Sequence, residues 1–401
     1  MARPEIVLVL LFSIATGVAI LARRLRVPYT VALVIAGLAF GASAALPGIR
    51  LTKDLLFSVL LPGLVFEAAY QLRFEDLRKN ALAILVLSVP GVAASMGATA
   101  AVLTWSASTI GRPIGLGTAI VFGAVVAATD PIAVVALFKS LGAPKRLAVL
   151  LEAESLVNDG TAIVLFTIVL SMVSGAHVDV VHGVIDFGRI VGLGAAVGFG
   201  FGGGARMLLR RVDDAMIEIT VSMIAAYGSF GVAEELGVSG VIATVVAGVG
   251  FGSYRETAMS EQTKASLGSF WEYVAFALNS IAFLLIGLSV HVGSLVRQWL
   301  PIALAFVAVV LGRAIIVALG TLVVRPTHER IPWTWSAVLT WGGLRGALSM
   351  VLALSLPADF PERELVVTMT FGVVLLSILV QGTTTSLLLK KLGLVEAAPS
   401  S

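Results

Sequence analysis

Thirteen runs of mainly apolar residues, most about twenty long, fill the chain, separated by short polar connections. A helix rising 1.5 Å per residue needs about that length to cross the hydrocarbon core of a bilayer. The pattern therefore predicts an all-α polytopic membrane protein. Its spans 1 to 13 cover roughly residues 5–22, 28–46, 54–71, 80–106, 114–138, 147–174, 187–208, 214–233, 238–253, 271–290, 299–324, 333–356 and 364–389. Span 1 is not a signal peptide on this reading. Its apolar run over residues 6–22 is too long for an h-region and ends in Arg23 and Arg24 rather than in a cleavage site. Beyond short connections and a tail of about ten residues, no room is left in the chain for a cytosolic domain.

The lysines and arginines fix the expected orientation. Connections after odd-numbered spans, with the C-terminal tail, hold 18 of the 27, from Arg23, Arg24 and Arg26 through Lys139, Lys145 and Arg146 to Lys390 and Lys391. The opposite side holds 7, among them Arg3, Arg50, Arg112 and Arg363. Positive charge stays inside, so the N-terminus is expected outside and the C-terminus in the cytoplasm. The basic pI of about 9.3 is thus a topology signal, and no nucleic-acid partner is expected.

Composition agrees with the pattern. The chain is 58% hydrophobic and 13% charged, with a mean hydropathy of +1.01, whereas soluble domains are about half apolar and a quarter charged. There is no cysteine, so neither a disulfide framework nor a thiolate metal site is available. His177, His182, His291 and His328 fall in connections or at helix ends without metal-ligand spacing, and no nucleotide-binding loop or nucleophile triad is present. A membrane enzyme is therefore disfavoured, and no cofactor is expected.

Thirteen divides as six, one and six. With span 7 as a linker, the second six enter the membrane from the opposite face, the inverted-repeat plan of many secondary transporters. The expected units are residues 1–178, a linker over 179–212, and residues 213–401. Span 5 then corresponds to span 12, and span 6 to span 13.

Charged residues at bilayer depth are costly and mark pathways or partners. Glu67, Asp130, Glu154, Asp159, Arg313 and Arg345 are such residues, with Glu152 nearer the end of span 6, where it can snorkel to water. Asp159 lies about 18 Å into span 6 by helix rise. Helical spacing aligns Ser155 with Asp159 on one stripe and Glu154 with Asn158 on the next. The first stripe offers the hard oxygens that sodium or lithium takes. In span 5, Ala127-Ala128-Thr129-Asp130-Pro131 must kink or break, because proline lacks the N–H and clashes with the preceding turn. In span 12, Trp341-Gly342-Gly343-Leu344-Arg345-Gly346-Ala347 is loosened by glycine around a buried arginine. Two interrupted helices in matching halves point to a midplane ion site. Asp130 can compensate exposed half-helix N-termini there, and Arg345 exposed C-termini. Arg313 needs a buried acid, and Glu154 is the best candidate if Asp159 is to stay free.

Taken together, Ala128-Thr129-Asp130-Pro131, Glu154-Ser155-Leu156-Val157-Asn158-Asp159 and Gly342-Gly343-Leu344-Arg345-Gly346-Ala347 resemble the monovalent cation:proton antiporter family. The resemblance is to its prokaryotic sodium/proton branch, related to the animal sodium/hydrogen exchangers, and covers about residues 61–381. It implies that Asp159 takes either cation or proton, that Ser155, Thr129 and Glu67 complete the ligand set, and that Asn158 steadies the site. It also implies a Glu154–Arg313 pair joining spans 6 and 11, and Asp130 and Arg345 balancing crossed, unwound spans 5 and 12. A homodimer follows too, with a core bundle of spans 4–6 and 11–13 moving against a dimerisation bundle of spans 1–3 and 7–10. With Asn158 rather than a second Asp beside Asp159, exchange is expected to be electroneutral, one Na+ or Li+ per proton. A potassium/proton antiporter of the same family is the nearest alternative, and a cation channel a distant one.

Overall fold

The structure is a computed structural model that describes residues 4–25, 28–42, 52–175, 180–210, 212–290 and 292–395. Arg3, Arg26, Arg50, His177 and His291 lie outside these residues. Every element among the described residues is helical. Eight helices are individually long and apolar enough to cross a membrane, and shorter apolar helices occupy Tyr29–Ala42, Leu116–Val125, Ile132–Leu141 and Gly240–Tyr254.

The sequence places its helix breaks where its prolines and glycines are. Pro90 opens a new helix, Pro90–Thr109, after Ala81–Ser88. Span 5 becomes Leu116–Val125 and Ile132–Leu141, and span 12 becomes Trp333–Trp341 and Ala347–Leu354, each pair separated by a short non-helical stretch. Span 6 is a single helix, Lys145–Val173, and span 11 a single helix, Trp299–Val324.

Close packing is set by small residues. Gly37 of span 2 lies against the backbone of Leu284 and Gly287 in span 10. Gly248 and Gly252 of span 9 lie against Phe66, Ala69 and Tyr70 of span 3. Gly312 of span 11 meets Ser95 and Thr99 of span 4. Without water to drive helices together, backbone approach of this kind supplies the dispersion that membrane packing relies on. Exchanging each span of the first half with the one seven later turns the 2–10 contact into the 9–3 contact and leaves the 4–11 contact on itself.

Polar ties secure the ends of spans 4, 6 and 12. Both Glu329 oxygens accept from the backbone N–H groups of Leu82 and Ala83, at 3.3 and 2.7 Å, at the start of a helix. Arg146 donates to Asn80 Oδ1 at 2.7 Å and to the carbonyls of Glu329 and Arg330, and its guanidinium sits 5.6 Å from the Trp335 ring centroid. A carboxylate at a helix N-terminus satisfies amides that have no partner within the helix.

Candidate functional site

The two broken spans meet at their breaks. The Asp130 backbone N–H donates to the Leu344 carbonyl at 2.8 Å, linking one break to the other. Asp130 Oδ1 accepts from the Ile132 N–H at 3.1 Å, at the start of the second half of span 5. Arg345 Nη1 donates to the Ala127 and Ala128 carbonyls, at 2.8 and 3.0 Å, just past the end of the first half. The Arg345 N–H donates to Ser377 Oγ at 3.1 Å, and Gln381 Nε2 donates to the Trp341 carbonyl at 3.2 Å. Backbone groups released by the breaks thus find partners inside the protein, as non-helical backbone at membrane depth must. Gly346 is required at the crossing, because a Cβ there would stand 2.6 Å from Asp130 Cβ and Oδ2. A Cβ on Gly343 would collide with the Arg313 guanidinium.

The helix Lys145–Val173 presents two different stripes to this crossing. On one, Glu154 is fully buried, and its two oxygens take Arg313 Nη1 and Nη2 at 3.1 and 2.9 Å. Arg313 Nε donates to the Leu339 carbonyl at 3.0 Å, so the guanidinium is bidentate to the acid and tied to span 12 as well. Asn158 Nδ2 donates to Thr129 Oγ1 at 3.0 Å and to Glu154 Oε1 at 3.4 Å. Thr129 Oγ1 in turn donates to Ser155 Oγ at 3.2 Å, and Ser155 Oγ donates to the Thr129 carbonyl at 2.6 Å.

On the other stripe stands Asp159. Its Oδ1 is buried and accepts no hydrogen bond, and the backbone amide of Thr129 interacts with the carboxylate. The carboxylate faces a cavity of about 90 Å³ lined by Thr129, Asp130, Ser155, Asp159 and Gly346, and closed on the span 3 side by Leu61, Leu64, Val65 and Ala68. A buried polar atom without a partner is costly, and a carboxylate lining a cavity can bind a cation or carry a proton.

Beyond this cavity lies a larger space of about 590 Å³ lined by Glu67, Gln71, Lys139, Glu152 and Glu272. A third, of about 320 Å³, adjoins it and is lined by Arg73, Asp76, Lys139, Lys145 and Glu152. The structure brings Asp159, Ser155, Thr129 and Asp130 to one cavity and joins Glu154, Asn158 and Arg313 behind it. It does not bring Glu67 to Asp159. The Glu67 carboxylate lines the outer space and accepts from Gln71 Nε2.

Residues 7–391 match the family described as "Sodium/hydrogen exchanger, transmembrane". The chain belongs to the sodium/hydrogen exchanger family. Its relatives include the Na(+)/H(+) antiporter ApNhaP of Aphanothece halophytica, 37% identical over 96% of this chain and 74% of that protein. The Na(+)/H(+) antiporter NhaH of Halobacillus dabanensis is 37% identical over 97% of this chain and 98% of that protein. The fold is that of the sodium proton antiporter MjNhaP1 from Methanocaldococcus jannaschii at pH 8, with a TM-score of 0.78 at 19% identity, over 97% of this chain and 98% of the other. As a member of this transporter family the chain is a multi-pass membrane protein.

Several residues around this candidate site gave little sign of themselves in the sequence. Ser377 and Gln381, which hold the span 12 break, lie in span 13 as ordinary small or polar residues. Gln71 and Lys139 meet across spans 3 and 5, with Nζ donating to Oε1 at 2.9 Å. For Gln71 the available signal was its position one helical turn after Glu67. Glu218, a buried acid with one unpartnered oxygen, lies in span 8, away from these spaces.

Proposed function

We propose that this protein exchanges sodium or lithium for protons across a prokaryotic inner membrane, with cation and proton competing for the Asp159 carboxylate. The observation that carries the reading is Asp159 itself, which lines a cavity at the crossing of two broken helices while its Oδ1 has no hydrogen-bond partner. Ser155 and the Thr129 hydroxyl or carbonyl supply the neutral oxygens around the ion, and water completes the shell. Glu67 belongs to the approach rather than to the coordination shell in this conformation.

Local charge supports a one-for-one exchange. The midplane holds three acids, Asp130, Glu154 and Asp159, against two arginines, Arg313 and Arg345. Fully ionised, the group carries one net negative charge, and a single Na+ or a single H+ brings it to neutrality. Moving a neutral group against the other bundle avoids the cost of carrying net charge through the bilayer core. A second acid at position 158 would leave a residual charge with either ion bound; Asn158 adds none.

The rest of the expected organisation is part of the same proposal. Thirteen spans form two inverted six-span units with span 7 as linker. The N-terminus is outside and the C-terminus cytoplasmic, so the outer spaces, lined by Arg73, Lys139 and Lys145, open to the cytoplasm. The symmetric exchange of the 2–10 and 9–3 contacts favours the repeat. A homodimer is favoured by the outer face of span 7, where Gly188, Gly192, Ala196, Gly200 and Gly204 recur every four residues and all are exposed. Cation-induced dequenching of a pH dye in proteoliposomes, across sodium, lithium and potassium, tests the reading. Sodium or lithium should drive proton movement in the wild type and not in Asp159→Asn. Potassium alone as driver would assign the potassium/proton alternative, and single-channel currents would assign a channel.

A further inference from the structure

Glu152 is the charged residue that lines all three spaces described on the open side: the Asp159 cavity and both outer spaces. It precedes Ser155 by three residues and Asp159 by seven, so the three side chains share one face of the helix Lys145–Val173. A cation coming from the outer spaces toward Asp159 along this helix therefore meets Glu152 first and Ser155 next.

The surroundings of Glu152 fit a brief stop rather than a resting site. Its side chain is 16% exposed, and Lys139 Nζ stands 3.9 Å from its Oε1 with the lysine 58% exposed. With the ammonium largely in water and 3.9 Å from the carboxylate, the pair contributes under about 1 kcal/mol, so an arriving cation can displace the ammonium. Lys139 does not leave when displaced, because it is tethered from span 3 through Gln71, which is bonded in turn to Glu67. The other charges lining the outer spaces are Glu67, Glu272 and Asp76 against Arg73 and Lys145. With Glu152 and Lys139 included, acids outnumber bases by four to three, which draws cations in.

We infer that Glu152 is a gateway residue: it takes the monovalent cation from the outer spaces and passes it to Ser155 and Asp159, while Lys139, positioned by Gln71, keeps its hold weak. This rests on the exchange proposed at Asp159. The competing role is a plain ion pair that fastens span 5 to span 6.

The experiment is the initial rate of sodium-driven proton movement in proteoliposomes, against sodium concentration at fixed pH, for wild type, E152Q, E152D and K139Q. The gateway role raises the sodium KM of E152Q about three- to tenfold with kcat within about twofold, returns it toward wild type in E152D, and lowers it in K139Q. Added choline chloride should narrow the gap between wild type and E152Q, because salt entering the outer spaces screens the attraction of their acids for a cation. An unchanged KM in E152Q, or a KM change indifferent to salt, overturns the inference in favour of the ion pair. Should E152Q fail to fold, an unchanged KM in K139Q overturns it equally. Absence of exchange in the wild type is a separate result that removes the exchange reading itself, and this inference with it.

Discussion

Glu154 and Asp159 stand on one helix, five residues apart, in opposite circumstances. Glu154 is buried and accepts from Arg313 through two nitrogens and from Asn158. Asp159 keeps a buried oxygen with no donor and looks into a cavity. The saturated acid is part of the scaffold, joining spans 6, 11 and 12. The unsaturated one is where chemistry can happen. The neighbouring stripes of one helix separate the two roles, and Thr129 is the hinge between them, since its hydroxyl serves Asn158 on one side and Ser155 on the other.

The contrast can be broken most sharply at its two ends. Asp159→Asn should reduce exchange to background in proteoliposomes while the melting temperature stays near wild type, since an Asn side-chain oxygen can still accept from the Thr129 amide. Glu154→Gln should do the reverse. It leaves the Arg313 guanidinium without its counter-charge, a loss of about 3–5 kcal/mol for a buried pair, seen as a large fall in melting temperature in detergent. A melting temperature unchanged by Glu154→Gln would count against the scaffold role.

Smaller changes sharpen the boundary between the stripes. Gly346→Ala should cost about 1–3 kcal/mol through its collision with Asp130, read as lower thermal stability and slower exchange. Thr129→Val removes hydrogen bonds to both stripes, with an expected loss of about 1–3 kcal/mol and a higher sodium KM. The smallest effect should come from an imposed membrane potential, which is expected to leave both rate and direction of exchange unchanged. A voltage-dependent rate would remove the neutral-carrier argument built on Asn158.

The breaks in spans 5 and 12 were legible because proline and glycine act locally: Pro131 cannot continue a helix, and Gly342, Gly343 and Gly346 loosen one. The meeting of Arg313 with Glu154 was legible because a buried guanidinium demands an acid and few acids lie at that depth. What stayed hidden depends on packing between distant spans. Ser377 and Gln381 look unremarkable until span 13 is laid beside the break they hold. Glu67 reads from sequence as a midplane acid, yet it points to the outer space, because which face of span 3 meets span 6 is decided by Gly248 and Gly252 of span 9 packing on its other side. Lys139 counted only toward orientation, and its reach to Gln71 and Glu152 follows from how the second half of span 5 leaves the crossing.

Competition of sodium and proton at one carboxylate is measured most directly by sodium binding to the purified protein over a series of pH values. With a single shared acid, the apparent Kd should rise about tenfold for each unit that pH falls in the range where Asp159 is protonated, by linkage, and Asp159→Asn should bind no sodium. A Kd indifferent to pH, or sodium binding that survives Asp159→Asn, would contradict the account.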